Sequence, residues 1–108
     1  MLNVIFYRTS EETVAGFFIK GHAGYAKSGR DIVCAAVTAL AFNTVNSVEA
    51  LTEDKFSVEQ GEDGYLKFML LGSPSSDAGL LLRSLLLGLT SVREEYGEKH
   101  IKIRFEEV

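Results

Sequence analysis

Apolar residues dominate positions 1–7, a polar stretch follows over 8–12, and an apolar, β-rich run returns over 13–20. A strand, a short polar loop and a second strand predict an antiparallel hairpin. The pattern then stops. Residues 21–30 carry glycines at 21, 24 and 29 and follow neither the strand nor the helix period, so they read as a loop whose backbone can approach a ligand closely. Asp31 begins about twenty residues of helical period, in which Val33, Val37, Leu40, Val48 and Leu51 are spaced to face a core. The same Asp31 is an N-cap residue placed to accept the amide of Val33 or Cys34. Positions 55–60 and 65–71 alternate around Gly61-Glu-Asp-Gly64, a second hairpin with a glycine-containing turn. Ser73-Pro74 then offers serine as cap and proline as first residue of a second helix, which stops at Gly97, and 100–105 reads as a last strand. The order strand–strand–helix–strand–strand–helix–strand predicts an α+β two-layer sandwich, two helices on one mostly antiparallel five-stranded sheet, with residues 1–108 as one domain.

The second helix has more leucine than one buried face needs. Leu81, Leu82, Leu85, Leu89, Val92 and Tyr96 fall on one broad side, while Leu80 and Leu87 fall nearly opposite, beside Ser84, Gly88 and Ser91. A second stripe of leucine and small residues predicts a homodimer face. Scattered exposed leucine on a monomer is the alternative.

Composition narrows the classes. With 15 acidic against 11 basic residues, a net charge of −4 and no run of Lys or Arg, the sequence argues against a nucleic-acid groove. One cysteine, Cys34, excludes an internal disulfide and any multi-cysteine metal site. No basic segment followed by an apolar stretch starts the chain, and no uninterrupted apolar run approaches a membrane span. These features predict a small cytoplasmic protein with neither cofactor nor metal and with no membrane partner.

The chemistry concentrates around that thiol. Cys34 falls in the first turn of the first helix, where outward-pointing amides and the positive end of the helix dipole favour thiolate over thiol. A lone cysteine can equally be a small buried hydrophobe. His22 ends the second strand at the edge of the glycine loop, and if strand and helix pack together the loop brings imidazole toward sulfur, the requirement of a Cys–His pair. A loop-edge histidine is otherwise an ordinary surface residue. Asp31 admits three roles: cap, orienting partner of His22, or both. The structural one is favoured because an anion so close opposes thiolate formation. Thr38, one turn beyond Cys34, either touches thiol or substrate or bonds back to its own helix. Competing motifs fare worse. Arg30-Asp31 stands where a phosphate loop needs Lys-Ser/Thr, zinc has no close ligand pair, and no CxxC is present.

Gly21-His-Ala-Gly-Tyr-Ala, then Gly29 and Asp31-Ile-Val-Cys-Ala-Ala-Val-Thr-Ala-Leu40, resembles the signature of the ribosomal-processing cysteine protease family of Firmicutes and related bacteria. The resemblance implies a cysteine endopeptidase that removes a short N-terminal extension from a large-subunit ribosomal protein, cutting after an aromatic pair and before a small residue. It makes His22 and Cys34 the catalytic pair, with Gly21, Asp31 and position 38 in support. The family usually has serine at 38, so Thr38 keeps the hydroxyl and adds a methyl. It also implies a dimer, and a glycine loop that orders on substrate, in which Gly24 and Gly29 give freedom and Tyr25 packs on the substrate's aromatic residues. Two other readings stay open. One is a non-catalytic module that binds a peptide or ribosomal protein and keeps Cys34 structural. The other is an acylphosphatase-like enzyme using Arg30.

Overall fold

The computed structural model describes residues 1–9, 13–22, 24, 31–62 and 64–108. Its elements are β1 (Leu2–Arg8), β2 (Val14–Gly21), α1 (Ile32–Leu51), β3 (Phe56–Gln60), β4 (Leu66–Leu70), α2 (Ser76–Tyr96) and β5 (Ile101–Glu107). That is the element order expected from the hydrophobic pattern. The strands form one sheet in the order β3-β4-β2-β1-β5. The pairs β1–β2, β2–β4 and β3–β4 are antiparallel, while β1–β5 is parallel. The chain thus crosses over through α2 before laying β5 beside β1, as a parallel neighbour requires.

Alternation along the strands divides the sheet into two faces. Leu2, Val4 and Phe6 of β1, Phe17 and Ile19 of β2, and Leu66, Phe68 and Leu70 of β4 are buried in one cluster with Val33, Val37 and Val48 of α1 and Leu82, Leu85 and Leu89 of α2. Phe17 stacks on Phe68 at 5.4 Å between ring centroids, and Phe56 tilts against Phe68 at 5.1 Å. Fully burying one such ring removes enough apolar surface from water to stabilise the fold by about 2–3 kcal/mol.

Three expectations need correction. Leu51 is 70% exposed, although its spacing matches the core stripe, because it is the last residue of α1 and lies beyond the packed layer. Ala41 and Thr44 are buried along that stripe instead, and the Thr44 hydroxyl donates to the Leu40 carbonyl at 2.8 Å. The cap of α2 is Ser75, not Ser73, and Pro74 precedes the helix. The Ser75 Oγ accepts the Ala78 amide at 3.1 Å, and Asp54 holds Ser75 in turn through its backbone N–H, at 2.9 Å, and its hydroxyl. These bonds keep the Asp54 carboxyl below the usual carboxylate range, the Ser75 hydroxyl contributing most. Gly88 does not belong to the outer stripe of α2. A Cβ there would lie 3.2 Å from Leu40 Cδ1, so Gly88 is where α2 closes on α1. Leu80 and Leu87 do stand outward, 57% and 70% exposed.

By length and composition alone, α1 is long and apolar enough to cross a membrane. Thr38, Asn43 and Ser47 interrupt its apolar run without adding charge. In the fold, Val33, Val37 and Val48 of this helix lie in the sheet core.

Candidate active site

The site forms where β2 ends and α1 begins. Gly21 closes β2 with φ of 100°, and a Cβ on it would lie about 2.5 Å from the Met1 carbonyl oxygen. A side chain cannot occupy that space, which explains glycine immediately before His22. His22 follows the strand and is exposed. On the helix side, Asp31 takes extended backbone angles, φ −80° and ψ 95°, and its Oδ1 accepts the Cys34 amide at 3.0 Å. The first intrahelical bond runs from the Ala35 amide to the Asp31 carbonyl, also 3.0 Å. Asp31 therefore caps the helix in the manner expected from its position, and Cys34 is the residue whose amide it takes. The acceptor satisfies an amide that the first turn otherwise leaves without an intrahelical partner.

Cys34 is half-buried. It packs against the core on one side and lines a cavity of about 300 Å³ on the other. His22, Gly21 and Thr38 line the same cavity. Of the residues singled out in the sequence, the fold thus brings together His22, Cys34, Thr38 and Gly21. Gly24 is exposed, with φ of 69°, and does not line the cavity. Tyr25, Gly29 and Arg30 lie outside the described residues, as does most of the expected loop.

The opposite wall was not foreseen. It comes from the β3–β4 turn, through Gln60, Gly61, Gly64 and Tyr65. Gly64 has φ of 69°, and a Cβ on it would stand 2.9 Å from the Gly21 carbonyl oxygen, so two glycines let turn and strand end meet. The Tyr65 ring meets Phe18 edge-on at 5.2 Å, and its hydroxyl donates to Glu59 Oε2 at 3.1 Å. That hydrogen bond to a carboxylate raises the phenol above its ordinary range. Phe42 also lines the cavity. It was findable, because Cys34, Thr38 and Phe42 are spaced by four and follow one face of a helix. Nothing in the linear order signals that the turn at residues 61–64 packs beside residue 21. Among the described residues no group of His, Cys, Asp and Glu is placed to hold a metal ion.

An α+β sandwich with a thiol in the first turn of a helix and an imidazole on the same cavity has the parts of a cysteine protease, and comparison with known proteins places the chain in that class. Residues 1–102 match the family described as Cysteine protease Prp, and the chain belongs to that family. Among its relatives, the ribosomal processing cysteine protease Prp of Bacillus subtilis (strain 168) is 32% identical over 101 residues, 89% of this chain and 90% of that protein. The Staphylococcus aureus protein of the same name is 29% identical over 99 residues, 91% of this chain and 93% of its own length. The crystal structure of an essential ribosomal processing protease Prp from S. aureus, with a covalently linked product peptide, superposes with a TM-score of 0.92 at 27% identity, covering 98% of this chain and all of that one. The same protease in complex with a substrate peptide gives 0.86 at 26% identity, with the same coverage.

Proposed function

We propose that this protein removes a short N-terminal extension from a large-subunit ribosomal protein, cutting after an aromatic pair, with Cys34 as nucleophile and His22 as its base. One observation carries the reading. The chain has one cysteine and two histidines, and the cavity that holds the sulfur is lined by His22 and not by His100. A cysteine protease built from this chain has no other thiol to use. The names of the relatives supply the ribosomal substrate, and a homologue that carries a covalently linked product peptide supports covalent chemistry.

In the mechanism that follows, His22 takes the proton of Cys34 as the sulfur attacks the scissile carbonyl. The tetrahedral adduct collapses to a thioester, and His22 returns the proton to the departing amine. Water, deprotonated by His22, then hydrolyses the thioester and frees the thiol. The adduct's oxyanion needs donors that already point at it. The amides of Ile32 and Val33 precede the first intrahelical bond and face the right end of the dipole, whereas the Cys34 amide is engaged by Asp31. Asp31 supports the reaction by setting the helix start. Thr38, Phe42 and Tyr65 shape the walls against which substrate side chains lie.

The reading also includes a cytoplasmic location and a symmetric pair formed through Leu80, Ser84, Leu87 and Ser91 of α2. Supporting the pair is the exposure of both leucines on a face that neither α1 nor the sheet covers. Incubation with a peptide spanning the extension junction, read by mass spectrometry, tests the activity. A single cut after the aromatic pair is expected, and an intact peptide, or cutting that persists in Cys34→Ala, refutes it.

A further inference from the structure

The face of the sheet that the helices leave open gathers positive charge that the linear sequence disperses. Strand pairing sets Lys20 opposite Asn3 and Asn3 beside Lys102. The next row runs Lys67, Phe18, Ile5 and Arg104. Lys20, Lys102 and Arg104 are exposed and rim a hollow of about 270 Å³ whose lining includes Asn3, Ile5 and Phe18. Among the described residues two anions share the face, both already engaged: Glu106 meets Arg104 at 3.4 Å, and Glu59 accepts the Tyr65 hydroxyl. The molecule as a whole carries −4, and Glu49, Glu53, Asp54, Asp77, Glu94 and Glu95 belong to the two helices or to the segment that follows α1. Charge is therefore two-sided, acidic where the helices lie and basic on the bare sheet.

We propose that this basic face binds the phosphate backbone of single-stranded RNA. Lysines rooted two strand spacings apart, about 10 Å at the backbone, can meet separate anionic groups of one phosphate chain, and an amide and an aromatic ring on the floor suit base edges and base faces. The choice of RNA over other phosphate polymers rests on the ribosomal reading above. The position of the hollow gives the binding a use. Leu2 and Ile19 line the cavity of Cys34 from the covered face, and their neighbours Asn3 and Lys20 line the hollow from the bare one. RNA and a peptide can occupy opposite sides of the same sheet end, so a protein substrate already held on RNA reaches the thiol without leaving it.

Fluorescence anisotropy with a labelled single-stranded RNA tests the proposal. Lys20→Gln/Lys102→Gln should bind about tenfold more weakly at about 50 mM salt, and its slope of log affinity against log salt should shrink by about 1.4, from about 0.7 per lost phosphate contact. A control of equal charge, Lys55→Gln/Arg83→Gln, should change affinity by less than about twofold, since screening weakens remote charges. Equal losses in the two variants, no RNA binding by the unaltered protein, or equally tight binding of poly-glutamate would overturn it. Cleavage of the junction peptide without RNA should be unchanged in Lys20→Gln/Lys102→Gln. Peptide cleavage with no RNA binding refutes the face and leaves the protease standing. RNA binding through these lysines with no cleavage does the reverse.

Discussion

At the start of α1 a carboxylate from Asp31 accepts the amide of Cys34, and the first turn contains no other acid. At the start of α2 a hydroxyl from Ser75 accepts the amide of Ala78, Asp54 holds that serine at both its N–H and its hydroxyl, and Asp77 adds negative charge in the first turn. Both ends present outward amides and a positive dipole end. The α2 end spends them internally, on a latch that ties the segment after α1 to the second helix. The α1 end carries one cap and otherwise faces a cavity containing a thiol. The difference separates an end built for holding from the end at which the proposed chemistry would take place.

Removing the chemistry should have the largest effect and leave the holding intact. Cys34→Ala should abolish peptide cleavage, and His22→Ala should lower kcat by about 10²–10⁴, the usual worth of a positioned base. Circular dichroism melts of both should match the unaltered protein. A His22→Ala enzyme with full kcat would erase the distinction drawn for α1. Next come the caps themselves. Ser75→Ala and Asp31→Ala should each cost about 1 kcal/mol in chemical denaturation, with Asp31→Ala keeping measurable kcat. Loss of all activity in Asp31→Ala with unchanged stability would make that carboxylate part of the chemistry and not only of the fold.

Acid should weaken the latch at the α2 end. The Asp54 carboxyl lies below its ordinary 3.8 because Ser75 hydrogen-bonds its charged form. A depressed folded value means the contribution is fully present above the unfolded value and fades as pH falls through the folded one. The melting-temperature gap between the unaltered protein and Asp54→Asn should therefore be widest near neutrality and close on acidification below about pH 4. A gap that stays constant to low pH would remove Asp54 from the latch. The smallest effect comes from making the two ends alike. Ala35→Glu adds an acid to the first turn of α1, which should raise stability by about 0.3–1 kcal/mol and lower kcat/KM at neutral pH severalfold by disfavouring the thiolate. Unchanged kcat/KM would show that the dipole end has no part in activating Cys34.

Local signals were legible where neighbours in sequence are also neighbours in space. Asp31 as cap, the helix that follows, both hairpins and the stop at Gly97 depend on contacts within four or five residues, and the structure places them within a residue or two of the expected bounds. The cap of α2 slipped by two positions for the opposite reason. Ser73-Pro74 satisfies every local preference, but Asp54, 21 residues before Ser75, holds that serine instead. Gly88 read as part of an outer stripe until Leu40 of the other helix was seen to need its space. In the site, His22, Cys34 and Thr38 were singled out from the sequence, whereas Gly64 and Tyr65 were not, because the turn that carries them comes beside Gly21 only through the pairing of β2 with β4.

What the amino-acid sequence determined by itself was the set of elements, the caps that depend on short-range bonds, and the presence of one thiol in the first turn of a helix. Backbone periodicity and hydrogen-bond reach act over a few residues, so one chain suffices to read them. The tertiary structure alone decided that β5 lies parallel to β1, that the β3–β4 turn walls the cavity, and that Lys20 and Lys102, far apart along the chain, stand two strands apart on one bare face. Those outcomes depend on which distant surfaces pack together, a choice made by burial of the whole core and not by any segment of it.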